Sequence, residues 1–177
     1  MDTKTDPGFE FPVGYRRFHR DQLFNFQLNR PYSLGYARAD DLEAAGRRIR
    51  SFADWKREMT ALAALASDEG RVLNAAFYYR AAEFYTFPGD PDKARLYDAF
   101  SDHFHRAIGT HAVERIRVPY DGAELYGLIV TPHGPARGDV VLHGGYDSFI
   151  EEFYSMMRYF AAHGYREIGR ASCRERV

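Results

Sequence analysis

Apolar residues recur at intervals of three and four through the first two-thirds of the chain, then at every second position. Leu42, Ala45, Ile49, Phe52, Met59 and Leu62 keep to one face of a helical wheel, with Trp55 beside the stripe. Asp40-x-x-Glu43, at the head of that stripe, has the form of a capping box, and the run closes at Ser67-Asp-Glu-Gly70. A second helix is predicted from Arg71 to Tyr85, carrying Leu73, Ala76, Phe77, Arg80, Ala81 and Phe84, and it stops at the breaker group Phe87-Pro88-Gly89-Asp90. A third is predicted to take Asp90 as its cap and Pro91 in its first turn, running through Leu96, Tyr97, Phe100 and Phe104 to Ile108. Upstream, Asp21 to Leu28 predicts a short helix. After His111 the period becomes two: Val113, Arg115 and Arg117 alternate with Glu114, Ile116 and Val118, and Asp121-Gly122 is a hairpin turn signal. A strand from Glu124 to Thr131, an exposed loop over 132–138 that makes His133 a surface histidine, and a short strand over 139–142 come next. Ile150, Phe153, Met156, Met157 and Phe160 then form one helical face that ends at His163-Gly164. The predicted class is α/β: helices first, then the opening strands of an α/β sheet.

Composition narrows the function classes. The 177 residues are 45% apolar and 16% aromatic, enough for one or two small cores. A formal charge of −1 gives no electrostatic footprint for nucleic acid. The densest basic cluster, Arg47-Arg48-Ile49-Arg50, reads as the wetted face of a helix. No apolar stretch is long enough for a membrane span and the opening residues lack a signal-peptide core, so a cytoplasmic protein is expected. The single cysteine, Cys173, supports neither a disulfide nor a thiolate metal site. No metal or other cofactor is expected.

The stretch with most chemical content is Val140-Val-Leu-His-Gly-Gly-Tyr-Asp147. A buried strand delivers His143-Gly144-Gly145, and an acidic helix start follows at Glu151-Glu152-Phe153. Glycines there leave bare backbone N–H groups that can face a developing negative charge. The same residues also suit an ordinary turn. A phosphate loop would need more glycines, or a Lys-Ser/Thr pair.

The order hairpin, strand, HGG, acidic pair and helix, behind a helical domain, resembles the α/β-hydrolase superfamily. Within it the chain is similar to the branch with a helical N-terminal domain, which includes dihydroxypseudooxynicotine hydrolase-like, fungal polyketide-shortening and dienelactone-hydrolase-like proteins. Phe24-Asn25, the segment Asn74 to Phe84, the hairpin from Val118-Pro119-Tyr120 to Leu125-Tyr-Gly127, and Gly144-Gly145-Tyr146-Asp147-Ser148 carry the likeness. The resemblance implies a serine hydrolase in which the backbone N–H of Tyr146, approached past Gly145, forms part of an oxyanion hole, with His143 and Gly144 supporting the loop. It implies that the helical domain caps the site, with Phe24, Asn25, Tyr78, Tyr79, Arg80 and Glu83 as candidates for substrate or domain-interface contacts. The implied partner is a small-molecule substrate cleaved at an ester, amide or C–C bond beside a carbonyl; a homodimer is compatible with it. The superfamily's G-x-S-x-G elbow is absent from the sequence, and Ser148 lacks the flanking glycines to replace it. The alternative class is a non-catalytic helical interaction module on a degenerate hydrolase core.

The last eleven residues, Glu167 to Val177, break the preceding pattern and resemble sequencing-adapter DNA read in frame. The expected organisation is a helical cap over 1–111, the first part of a hydrolase core over 112–166, and a foreign tail over 167–177, with the triad lying beyond the sequence given.

Overall fold

The computed structural model describes residues 9–109, 113–121, 123–145 and 147–170. They fall into two compact units. One is Phe11–Gly109; the other holds Phe9 and Glu10 together with the described residues after 112.

The first unit is helical: α1 Gln22–Ser33, α2 Ala39–Gly46, α3 Phe52–Asp68, α4 Val72–Phe84 and α5 Asp92–Ile108. Most of the predicted stripe is its core, since Leu42, Ala45, Ile49, Trp55 and Met59 are fully buried, whereas Phe52 is 39% exposed and lies outside it. That stripe is divided between two helices rather than running through one. The chain turns over Arg47–Arg50 and restarts at Ser51, whose hydroxyl accepts the N–H of Asp54 at 3.1 Å as a helix cap. The turn carries Ile49 inward, which preserves the apolar spacing across the break. Asp40 does not cap α2. The helix begins at Ala39, with Asp40 and Asp41 in its first turn and Arg38, whose N–H donates to the Tyr78 hydroxyl at 3.1 Å, in the cap position. The third start falls one residue later than predicted: α5 begins at Asp92 with Pro91, already helical at φ −60° and ψ −23°, in the cap position, and Asp90 Oδ1 accepts the N–H of Asp92 at 2.9 Å. α1 runs one turn past Leu28 and includes Pro31, capped at its start by Asp21.

Polar locks join these helices. Trp55 donates its indole N–H to the Ala81 carbonyl at 2.6 Å, tying α3 to α4. Lys56 reaches Asp90 at 2.8 Å and Asp92 at 3.0 Å, and the pair raises its pKa. Arg47, Arg48 and Arg50 are exposed, the first two paired with Glu43 and Glu58.

The second unit carries a four-stranded mixed sheet in the order β1-β2-β4-β3, built from β1 Val113–Tyr120, β2 Ala123–Val130, β3 Asp139–His143 and β4 Arg166–Arg170. The β1–β2 hairpin closes as its sequence predicts, with Asp121 at φ 48° in the left-handed region. Between β3 and β4 run a 3-10 turn over Ile150–Phe153 and α6 Tyr154–Ala162. These cover one face of the sheet, where Ile150 and Met157 are buried over Gly169. A Cβ on Gly169 would lie 2.4 Å from Ile150 Cδ1, so a larger residue there would displace that side chain.

β4 occupies a stretch whose composition predicted no strand. Its ladders with β2 and β3 hold it as a strand although Ile168 is its one β-branched residue. The side chains fit less well. Glu167 is two positions from Gly169 and so shares the face under α6, paired between Val130 and Val140. It is 0% exposed, neither of its carboxylate oxygens has a hydrogen-bond partner among the described residues, and burial pushes its pKa up to about 7. β3 is an edge strand, with Val141 67% exposed.

A carboxyl whose pKa is raised on folding contributes most below its unfolded value, and that contribution is lost as pH rises through about 7. Glu167→Val is therefore expected to stabilise the sheet unit by on the order of 3 kcal/mol more at pH 8 than at pH 4. Urea unfolding of both proteins at the two pH values checks this; an equal effect at both would mean that the carboxylate is not buried.

Candidate active site

The glycine pair lies where the parallel strand β3 ends. In open α/β sheets that edge is where ligands bind. His143 is paired with Arg170 as the last step of the β3–β4 ladder, and the chain leaves the sheet at Gly144.

The two glycines serve different purposes. A Cβ on Gly144 would lie 2.6 Å from Ser148 Cβ and 2.8 Å from Phe153 Cε2, so the backbone passes there only because no side chain is present. Gly145 meets nothing within 4 Å at the same test and is exposed. The Ser148 N–H donates to the Gly145 carbonyl at 3.2 Å and closes the turn. The next N–H, that of Phe149, donates to Glu152 Oε1 at 3.0 Å, while the Glu152 N–H returns to the Phe149 carbonyl at 3.1 Å. Glu152 is thus a buried clamp on the start of the 3-10 turn as well as an acid near a helix N-terminus. His143 is exposed, and its Nδ1 lies 3.2 Å from the Gly144 carbonyl; since a carbonyl only accepts, Nδ1 is the donor. The Tyr146 backbone, the expected oxyanion donor, lies outside the described residues.

The residues expected to face a substrate are held within the helical unit. Phe24 is buried, stacked on Trp55 at 5.5 Å. Asn25 Oδ1 accepts the N–H groups of Phe18 at 2.8 Å and His19 at 3.0 Å, fixing the segment before α1. The Tyr78 hydroxyl donates to Asp41 Oδ2 at 2.8 Å, and burial first of all raises its pKa. The Tyr79 ring packs 5.1 Å from that of His103. Arg80 pairs with Glu83, both side chains buried, and Lys93 completes the cluster from α5 at 2.5 Å from Glu83 Oε1. Asp41 and Lys93 were not singled out by sequence reasoning, because each is remote in sequence from the group it pairs with. Phe153 was read only as core, and nothing in its spacing shows that its ring bounds Gly144.

Among the described residues no cluster of His, Cys, Asp or Glu is arranged to hold a metal ion. Among them, too, no helix is long and apolar enough to cross a membrane.

The contrast between the glycines is testable. Gly144→Ala is expected to cost the sheet unit about 1–3 kcal/mol through overpacking, whereas Gly145→Ala should stay within about 0.5 kcal/mol of the parent. Denaturant unfolding followed by amide NMR signals of residues 139–163 separates the two; equal effects would refute the asymmetry.

No family model matches the chain, and no curated protein matches it. Solved structures do. Wild-type AbyA5 matches with a TM-score of 0.62 at 18% identity, over 73% of this chain and 39% of that one. A 2,6-dihydroxy-pseudo-oxynicotine hydrolase matches with a TM-score of 0.53 at 20% identity, over 81% of this chain and 44% of that one. The chain spans less than half the length of either protein. At these identities the likeness is one of fold alone.

Proposed function

We propose that this chain is the N-terminal part of a serine-type α/β hydrolase that acts on a small or medium carbonyl compound. The observation that carries the reading is the glycine turn at the end of β3, followed directly by the 3-10 turn and α6. In such an enzyme a serine attacks the carbonyl carbon and two backbone N–H groups stabilise the resulting oxyanion. The turn would give one of them, from Tyr146, with Gly145 leaving room for the approach and His143 and Gly144 holding the loop. Removing one such donor typically costs about 3 kcal/mol of transition-state stabilisation. The helical unit would serve as the cap, and its aromatic content favours an aromatic or bulky ester, amide or ketone. The reading carries with it a cytoplasmic enzyme without a cofactor, and is compatible with a homodimer.

We also infer that residues 167–177 are foreign to the natural protein, whose strand would carry an apolar residue where Glu167 stands. The unpartnered carboxylate in the middle of the sheet supports this.

One observation favours the alternative of a helical interaction module on a degenerate core. Each candidate cap residue already has a partner within its own unit.

Sequencing the genomic DNA past codon 166 decides between them. The natural frame is expected to diverge at 167, and a G-x-S-x-G elbow is expected within roughly 40–80 codons. A frame that keeps the sheet pattern but lacks the serine, acid and histidine would establish the module instead. The chain as given is expected to show no steady-state turnover of activated aryl esters above the buffer rate, and saturable turnover would overturn the proposed division of the active site.

A further inference from the structure

We propose that Ser67 is a base-activated serine that accepts an acyl group, with His103 as its base. Ser67 lies in the last turn of α3 and His103 on α5, and Ser67 Oγ is 3.0 Å from His103 Nε2. The other ring nitrogen, Nδ1, is 2.7 Å from the carbonyl oxygen of Ala99, one turn earlier in α5. A carbonyl oxygen only accepts, so Nδ1 carries the ring proton. In the neutral ring Nε2 is then the acceptor, and the Ser67 hydroxyl donates to it. Nucleophile, base and a group that fixes the tautomer of the base are in the relation that activates a serine, with a backbone carbonyl in the orienting position. The Tyr79 ring, 5.1 Å from the imidazole, restricts how that ring can turn. Both Ser67 and His103 are half-buried, so a small electrophile can reach them.

The acyl donors that fit are activated ones, such as aryl esters. Ser67 Oγ attacks the carbonyl carbon, forming a new C–O bond as the bond to the aryloxide breaks. The hydroxyl proton passes to His103 Nε2 and on to the departing aryloxide, leaving a phenol, a neutral imidazole and an ester on Ser67. The difference between the two esters limits the reaction to this first step: the aryl donor carries a good leaving group, whereas the ester on Ser67 would have to expel an alkoxide. The end of α3 presents carbonyls, and the N–H groups of Glu69, Gly70 and Arg71 are given to Leu65, Ser67 and Ala66. Such an end supplies no N–H to an oxyanion, so only an activated donor reacts and the alkyl ester left on Ser67 is not turned over. This serine is not the one the proposed hydrolase would use, and the two readings stand or fall separately.

Acetylation by p-nitrophenyl acetate, read serine by serine by peptide mass spectrometry on the whole chain, tests the proposal. Ser67 is expected to acetylate at least about tenfold faster than Ser33 or Ser51, and His103→Gln to remove most of that advantage. His103→Ala should do the same, with circular dichroism confirming that the helices persist in both variants. Acetylation of Ser67 no faster than of the other serines, or unchanged in a folded His103→Gln protein, would overturn it.

Discussion

All the strand hydrogen bonding that joins the β1–β2 hairpin to β3 passes through β4, which pairs antiparallel with β2 and parallel with β3. A parallel pair needs a crossover, and here the glycine turn, the 3-10 turn and α6 supply it before Gly164, at φ 87°, returns the chain to the sheet. The position of the candidate site therefore depends on β4 being in place. Its backbone meets that demand and one of its side chains opposes it. At Gly169 the missing Cβ lets Ile150 and Met157 close on the strand, whereas at Glu167 a carboxylate sits in the same layer between two valines. Local sequence and global fold disagree at one residue, and a ladder on both edges outweighs that disagreement.

The same balance separates the legible parts of the sequence from the rest. Helices with a broad apolar stripe and strong breakers were readable, because most of a helix's stability comes from burying that stripe and Pro88-Gly89 cannot continue a helix. The hairpin was readable because Asp-Gly accepts the left-handed turn that a two-residue loop requires. The break between α2 and α3 was not, since Ile49 keeps the apolar spacing through a non-helical turn, and the cap at Ser51 shows only once the break is known. β4 was not readable either. Arg166, Glu167 and Gly169 have no strand preference of their own, and strand propensity reports neighbours more than backbone.

At the candidate site the residue types were legible but their division of labour was not. Two adjacent glycines look alike in sequence, yet one is required by Ser148 and Phe153 and the other faces open space. The polar residues on α4 signalled that partners exist without saying which. Tyr78 finds Asp41 across 37 positions and Asn74 finds the Tyr36 carbonyl across 38, separations that periodicity does not encode. Their engagement within the helical unit moves the chemical interest of the chain toward the glycine turn.

That turn is also restricted in what it can donate. An oxyanion site works because its N–H groups are aimed in advance and free of other acceptors. The Ser148 N–H is given to the Gly145 carbonyl and the Phe149 N–H to the Glu152 carboxylate. These bonds stiffen the second half of the turn and use up its donors in doing so. A buried carboxylate there also disfavours a second negative charge close by. Any donor to an anion must come from the part of the turn before Ser148, where Gly144 is pressed against Phe153 and Gly145 opens the way. The hydrogen bonds of Ser148 and Phe149 thus fix the exit from the turn, while the side of Gly145 stays open.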